Sequence, residues 1–202
     1  MVMMQKNNNK AEVRKLLLET GRRLVNEYGA EFLTARKLSE ASGCSVGTIY
    51  NQFGNMDNFV MEQNIITINE LSDKLKQLID GGDFYRRLNR YVDAYVDWIS
   101  THKNLWFLLY DFHLRNDNIK LPSEYKRVFL MICKKPERDF DVAFRRLSAK
   151  ERRVARMVLL TSIFATSSFL LMQTTGKVSK NNVCKLLVNT YLAGLEVLKR
   201  VR

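Results

Sequence analysis

The chain has 202 residues and 46% hydrophobic side chains, so it is long enough for a packed core and too apolar for general disorder. With only two prolines and nine glycines, its composition favours long helices and argues against a loop-rich β protein. The net charge of +12 indicates attraction to polyanions, although most of the excess lies outside residues 1–53, and a generally basic surface explains it as well.

The N-terminal segment predicts an arm followed by a small helical domain. Residues 1–10 are polar and are expected to form a disordered arm. Apolar positions then recur at helical spacing over residues 11–28, and Gly29 is a natural end for this first helix. We expect residues 11–55 to form one domain.

Two short helices are predicted within this domain. Thr34 is placed to cap a helix over residues 35–42, and Ser45 is placed to cap another over residues 46–53. The turn between them contains Gly43. Two short helices joined by such a turn, after a longer helix, are typical of a helix-turn-helix.

The helix over residues 46–53 has two chemically different faces. The apolar face is expected to pack on the preceding helices and holds Val46, Ile49, Tyr50 and Phe53. The opposite face is small and polar and holds Gly47, Thr48, Asn51 and Gln52. Asn and Gln pair with adenine, Thr bonds or touches a base edge, and Gly permits close approach, so this face suits the major groove of DNA. A short solvated helix would show the same pattern.

The longer sequence around this helix distinguishes a DNA-binding helix from a solvated one. Residues 35–53 read ARKLSEASGCSVGTIYNQF after Thr34, and this string resembles the signature of the tetracycline-repressor (TetR) family. The positions that match are Thr34, Ala41, Gly43, Ser45, Gly47, Thr48, Tyr50 and Phe53, with Ile49 in place of Leu. The resemblance implies phosphate contacts by Thr34, Ser45, Tyr50 and Gln52, and base contacts by Val46, Gly47, Thr48 and Asn51.

Two positions depart from the family pattern. Gln52 stands where the family usually has His, and Met56 stands where it usually has Lys. A cationic phosphate contact is therefore missing. We expect DNA affinity to depend more on other cations, namely Lys6, Lys10, Arg36 and Lys37.

The remaining chain also predicts helices, which span about 56–79, 83–101, 122–133, 149–176 and 179 to near the C-terminus. Ser148 and Glu151 form a capping box at the start of one of them. The expected fold is therefore all-α, with about nine helices. The resemblance implies that residues 56–202 form a ligand-binding and dimerisation domain.

Aromatic residues in this half are candidates for a ligand pocket, although for any single one of them a place in the core is the commoner explanation. They are Trp98, Trp106, Phe107, Tyr110, His113, Phe129, Phe164 and Phe169. Candidates for a dimer interface lie on the last two helices, which are too apolar for solvent. They are Phe169, Val183, Leu187, Tyr191, Gly194 and Leu198.

Other chemistries find little support in the sequence. It has no Gly-rich phosphate loop, nucleophile elbow or metal-ligand spacing, so we expect no enzyme activity, no cofactor and no metal. Three scattered cysteines and no recognisable signal peptide fit the cytoplasm. The uncharged run 157–176 is rich in Ser and Thr, which favours a buried helix over a membrane span. The basic stretch 126–156 is either a solvated face or a site for an anionic ligand or partner.

The sequence thus predicts a homodimeric, ligand-responsive transcription regulator that binds double-stranded DNA at a palindromic operator. Repression, relieved by a small molecule of unknown identity, is the usual action in the family that the chain resembles. The alternative is an architectural DNA-binding protein without a ligand, which would need no pocket in its second domain.

Overall fold

The computed structural model describes residues 2–78, 81–115, 121–128, 140–172 and 179–200, with side chains described from residue 9 to residue 197 within these ranges. The labelled helices are α1 (Val2–Tyr28), α2 (Ala35–Ser42), α3 (Val46–Phe53), α4 (Met56–Lys76), α5 (Phe84–Thr101), α6 (Lys103–Arg115), α7 (Ala149–Leu171) and α8 (Lys180–Arg200), with a 3₁₀ turn at Ala30–Phe32. Residues 123–128 are also helical. No strand occurs in the ranges described, and the all-α prediction is confirmed.

The helix boundaries agree with the sequence where local signals are strong. Helices α2 and α3 have the predicted bounds, and α7 begins with the predicted capping box of Ser148 and Glu151. Helix α1, by contrast, begins at Val2, so residues 2–10 are helical where a disordered arm is expected. The reason is that this segment contains neither Pro nor Gly, and it continues the turns of α1.

The chain divides into two units that do not follow the predicted boundary at residue 55. One unit comprises residues 1–69 and 102–125, and the other comprises residues 70–101 and 126–202. In the first unit, α6 packs on α1 and on the 3₁₀ turn. The first two thirds of α4, up to Asn69, and the whole of α6 therefore belong with the N-terminal helices.

The first unit has an apolar core made by α1, α2, α3 and α4. Its buried members are Leu17, Leu24, Leu38, Ile49, Phe53 and Phe59. The rings of Phe53 and Phe59 meet edge to face with centroids 4.8 Å apart, which joins α3 to α4. A second cluster of Val25, Leu105 and Leu108 joins α1 to α6.

Gly21 sets how closely α1 approaches α4. A Cβ atom at this position would lie 2.6 Å from Cζ of Phe59 and 3.2 Å from Nε2 of Gln63. Gln63 is fully buried, and its Nε2 donates to the carbonyl of Leu18 at 2.7 Å. The absence of a side chain at residue 21 thus allows both the aromatic contact and this hydrogen bond.

The second unit is built around α5, which packs on α7 and α8. Tyr91, Val92 and Trp98 are among the residues that α5 buries. The Lys180 ammonium on α8 pairs with the Asp97 carboxylate on α5. These contacts hold the last two helices against α5 along one face of each.

We expect Gly21→Ala to lower the free energy of unfolding by roughly 1–3 kcal/mol, because the new methyl group overpacks the Phe59 contact. Gly47→Ala is the matched control, because a Cβ there meets only Ser45 Oγ, at 3.7 Å. The control should match or exceed the wild-type stability, since Ala is the better helix former. Urea unfolding of both variants measures the difference, and equal stabilities would refute close packing at Gly21.

Candidate DNA-binding surface

The turn between α2 and α3 is fixed by the backbone of Gly43 and by side-chain hydrogen bonds. Gly43 adopts a φ of 71°, a left-handed conformation that favours glycine, and its N–H donates to the Ser39 carbonyl. Ser39 Oγ donates to the Cys44 carbonyl at 2.7 Å, and the Cys44 N–H donates to Ser42 Oγ at 3.2 Å. The angle between α2 and α3 is therefore determined by residues close together in the sequence.

Both short helices begin at the predicted caps. Thr34 Oγ1 accepts from the Lys37 N–H at 3.2 Å, and Ser45 Oγ accepts from the Thr48 N–H at 3.1 Å. Thr34 and Ser45 are both exposed. The first turns of α2 and α3 therefore present N–H groups and positive dipole ends at the surface, where a phosphate can bind.

Helix α3 buries a narrower face than the sequence predicts. Ile49 and Phe53 are buried, but Val46 is 38% exposed and Tyr50 is 44% exposed. At about 100° per residue, Val46 and Tyr50 lie together beyond Phe53 at one edge of the predicted apolar arc, whereas Ile49 and Phe53 lie where α1 and α2 cover the helix. The prediction that all four pack inward is wrong for Val46 and Tyr50.

The opposite face of α3 is open to solvent. Gly47 and Asn51 are exposed, and Thr48 is half-buried with its hydroxyl 2.9 Å from Ser45 Oγ. Asn51 thus offers an amide donor and an acceptor at the surface. Together with Val46 and Tyr50, these residues form the solvent-facing side of α3, which we call the reading face.

Gln52 is oriented toward α1 rather than toward solvent. Its Nε2 donates to the Lys10 carbonyl at 3.3 Å, and its Oε1 is buried without a hydrogen-bond partner. Its amide therefore reaches a phosphate only after leaving the Lys10 carbonyl, whereas Tyr50 needs no such rearrangement.

The two cations of α2 share one acidic partner. Glu40 pairs with Arg36 Nε at 2.9 Å and with Lys37 Nζ at 3.3 Å. The hydrogen bond from Arg36, and then that from Lys37, lowers the pKa of the Glu40 carboxyl. Exposed pairs of this kind are weak, so both cations remain available to exchange Glu40 for a phosphate.

Arg14 supports the position of α3, and no pattern in the sequence marks it. Its guanidinium donates to the Gln52 carbonyl at the end of α3, pairs with the Glu62 carboxylate on α4, and stands 4.3 Å from the centre of the Phe53 ring. Burial raises the pKa of Glu62, and Arg14 opposes that effect. Arg14 thus joins α1, α3 and α4. Its partners lie 38 and 48 residues away, so no local pattern marks it.

Met56 is half-buried at the start of α4 and packs against the core of the first unit. The position that carries Lys in the related pattern therefore contributes apolar packing here. The N-terminus of α4 is held by Asn55, whose Oδ1 accepts from the Asn58 N–H at 2.8 Å.

The proposed pocket residues are divided between the two units. In the first unit, Trp106 is buried, whereas Phe107, Tyr110 and His113 are half-buried. In the second unit, Trp98 is buried, Phe164 is half-buried and Phe169 is exposed; Phe129 lies outside the described residues.

The proposed interface residues of α8 do not share one environment. Val183 and Leu187 are half-buried, Gly194 is exposed, and the side chain of Leu198 is outside the described range. The Tyr191 hydroxyl donates to the Ala155 carbonyl, so this ring packs within its own chain.

Other chemistry is sparse in the described part of the chain. No group of three or more His, Cys, Asp and Glu side chains there is arranged to hold a metal ion. In the basic stretch, Asp141 accepts from Arg152 at 3.0 Å and from Arg156 at 2.8 Å, while Arg145 and Arg153 are exposed. Most of the described part of this stretch is thus solvated surface.

Comparison with known proteins supports the helix-turn-helix. The model of the family described as "Bacterial regulatory proteins, tetR family" matches residues 17–62. No curated relative matches the chain in sequence.

Solved structures also share the fold, and three of them show the range of similarity. A protein of unknown function from Rhodococcus sp. RHA1 has a TM-score of 0.75 and 14% identity, covering 90% of this chain and 94% of its own. FadR from Bacillus subtilis, solved with stearoyl-CoA, has a TM-score of 0.70 and 14% identity, with coverages of 89% and 98%. The regulator PfmR from Thermus thermophilus has a TM-score of 0.60 and 14% identity, with coverages of 88% and 97%.

We expect Arg14→Ala to lower the free energy of unfolding by roughly 1–3 kcal/mol, because it leaves a helix-end carbonyl and a half-buried carboxylate without their donor. DNA binding should weaken as well, since α3 loses an anchor. Lys15→Ala is the control, because Lys15 is exposed and its ion pair with Glu19 is long, at 3.7 Å between Nζ and Oε1. Urea unfolding and the anisotropy of labelled DNA measure both effects. Identical behaviour of the two variants would remove Arg14 from this role.

Proposed function

We propose that the chain is a cytoplasmic, homodimeric transcription repressor that a small molecule releases from DNA, because residues 17–62 match the model of the bacterial regulatory proteins of the tetR family. The observation that carries the proposal is the reading face of α3. Its small and amide-bearing residues stand in solvent, and the N-termini of α2 and α3 are exposed beside them.

The two parts of this surface have different tasks in DNA binding. Asn51 and Thr48 hydrogen-bond base edges in the major groove, and Gly47 lets the helix approach them closely. The Tyr50 hydroxyl, the capped helix starts, Arg36 and Lys37 bind phosphate, which positions the domain without reading sequence. Binding through phosphates makes affinity fall as salt rises.

The dimer interface that we propose is an exposed apolar face of α7 and α8. On α7 the exposed residues that are apolar or small are Val154, Met157, Val158, Thr161, Ala165 and Phe169, and Met172 follows directly after the helix. On α8 the exposed residues of this kind are Leu186, Thr190, Ala193, Gly194 and Val197, beside exposed polar residues such as Lys185 and Glu196. Met157 is 59% exposed and Leu186 is 66% exposed. A second copy of the chain would cover both stripes in a four-helix interface.

This face replaces part of the interface expected from the sequence. Gly194 and Phe169 remain in it, whereas Tyr191 is occupied within its own chain. Among the described residues, α7 is also the one helix long and apolar enough to span a membrane. We favour a protein partner, because α7 packs on α5 and α8 along its other face and holds Asp141 through Arg152 and Arg156.

Response to a ligand is supported by the fold. FadR from Bacillus subtilis, which shares it, was solved in complex with stearoyl-CoA. For this chain we propose a small-molecule effector, and an operator with two half-sites that match the two-fold symmetry of the dimer.

The reading face is tested by two substitutions on a site selected from random DNA. Tyr50→Phe should weaken binding about equally on all sequences, because it removes a phosphate contact. Asn51→Ala should instead change which bases are preferred at one position of each half-site, with a cost of about 1–3 kcal/mol on the best site. If both variants bind the selected site as the parent does, the reading face is assigned to the wrong side of α3.

The interface is tested by Gly194→Arg. A side chain at Gly194 meets nothing within 4 Å in its own chain, so the variant should fold. Its charge would be buried between protomers, which costs several kcal/mol. We therefore expect a monomer that has lost operator binding. Gly81→Arg, which adds the same charge in the α4–α5 connection, should remain dimeric. Sedimentation decides: a monomeric wild type or a dimeric Gly194→Arg variant would contradict this interface.

A further inference from the structure

Asn64 and Tyr125 are buried polar side chains that the described structure leaves without hydrogen bonds. Asn64 lies on α4 and Tyr125 lies in the helical residues 123–128, and both are 0% exposed. Neither the amide nitrogen nor the amide oxygen of Asn64 has a partner, and neither does the Tyr125 hydroxyl. Unpaired buried polar groups oppose folding, so a site that keeps three of them requires an explanation.

The two side chains are neighbours in an aromatic setting. Burial raises the pKa of the Tyr125 hydroxyl, and Asn64 lies close enough to act in the opposite direction, although the pair does not reach hydrogen-bond geometry. The ring of Tyr125 lies 5.6 Å from that of His113 and 6.1 Å from that of Phe112. Phe112 is buried and His113 is half-buried. Polar atoms that converge within apolar walls are typical of small-molecule sites.

The neighbouring residue shows what a purely structural amide does here. Gln63 is as buried as Asn64, and its Oε1 also lacks a partner among the described residues, but its Nε2 donates to the Leu18 carbonyl and ties α4 to α1. Asn64 makes no such bond. The two adjacent amides therefore differ in role, because one supports the fold and the other is unused by it.

We propose that Asn64 and Tyr125 bind the polar head of the effector, and that this head is a neutral amide such as a carboxamide or a lactam. The inference rests on the proposed function as a ligand-responsive regulator, and it adds the site and the chemical class of the ligand.

The donor pattern of the site selects this class. The Asn64 amide presents a donor and an acceptor on one planar edge, and a ligand amide presents the complementary pair, so the two can form two hydrogen bonds. The Tyr125 hydroxyl both donates and accepts, and it can bind the remaining lone pair of the ligand carbonyl. A carboxylate has acceptors only and would leave the Asn64 oxygen unpaired. An ammonium group has donors only and would leave the Asn64 nitrogen unpaired.

The surroundings also favour a neutral head. Tyr125 and Phe112 contribute aromatic surface and no charge. His113 Nδ1 donates to the Leu109 carbonyl at 2.8 Å, so this nitrogen is already engaged within α6. A charged head would lose its hydration in this setting without gaining an ion pair.

The test compares matched ligands on the full-length protein. Benzamide, hexanamide and ε-caprolactam are titrated against the protein by isothermal calorimetry, alongside benzoate and hexanoate. We expect each amide to bind wild type at least about tenfold more tightly than the acid with the same carbon skeleton, where one exists. Asn64→Leu and Tyr125→Phe should each reduce amide binding about tenfold. Amides that bind no better than the acids, or that bind both variants as they bind wild type, would overturn the proposal.

Thermal unfolding separates a ligand site from a structural cluster. Asn64→Leu and Tyr125→Phe remove polar atoms that lack partners, so the free variants should melt no lower than wild type. Gln63→Leu, the control, should melt lower because it breaks the bond to Leu18. If Asn64→Leu and Tyr125→Phe melt as low as Gln63→Leu, the two residues are structural and the proposal fails.

Operator binding distinguishes this inference from the proposed function. Asn64→Leu leaves the reading face intact and should bind operator DNA as wild type does. Benzamide should release the wild-type protein from the operator but should not release this variant. An effector that releases the wild type and the Asn64→Leu variant equally would refute the Asn64 site and would support ligand response through another site. A wild-type protein that binds amides through Asn64 but selects no DNA would refute the regulator and keep the site.

Discussion

Helix α3 cannot hold its position by itself. It has eight residues, and helices of that length are unstable in water without tertiary contacts. Its position depends on Ile49 and Phe53 in the core, and on the Arg14 guanidinium at its C-terminal end. Because Arg14 also pairs with Glu62, the same side chain fixes α3 relative to α1 and α4. The direction of the reading face is therefore a property of three helices.

Helix α4 links this support to the buried polar pair. Phe59 packs on Phe53 of α3, and Glu62 pairs with Arg14. Gln63 donates a hydrogen bond to α1, and Asn64 lies beside Tyr125. Asn64 is two residues from Glu62, which is about 3 Å along the axis of a rigid helix. A ligand that draws Asn64 toward itself would also move Glu62. Such a displacement would reach α1 through the close approach of Gly21 to Phe59, where even a Cβ atom would lie 2.6 Å from Cζ of the ring.

In the second unit, a single chain leaves apolar surface of α7 and α8 exposed to solvent. Helices α7 and α8 pack on α5 along one face and expose recurrent apolar residues along another, among them Met157 and Leu186. Soluble monomers rarely expose long apolar stripes, because each buried apolar atom lowers the free energy. Among the residues that make α7 resemble a membrane span by composition, the exposed ones are those that a second copy would bury.

The sequence alone determined the features that depend on near neighbours. The caps at Thr34 and Ser45, the turn at Gly43 and the capping box before α7 involve residues within a few positions of one another, so local patterns predict them and the bounds of α2 and α3. The resemblance to the family signature implied DNA binding by this face of α3, but it did not indicate which of its residues are exposed. Only the tertiary structure decided that Val46 and Tyr50 are exposed. It also decided that Arg14, Gln52 and Tyr191 bond to residues far away in the sequence, and that Asn64 and Tyr125 are buried side by side without hydrogen-bond partners in the described part of the chain. The partners and neighbours of these five residues lie tens of positions away, and helical periodicity indicates which face is apolar without indicating which helix covers it.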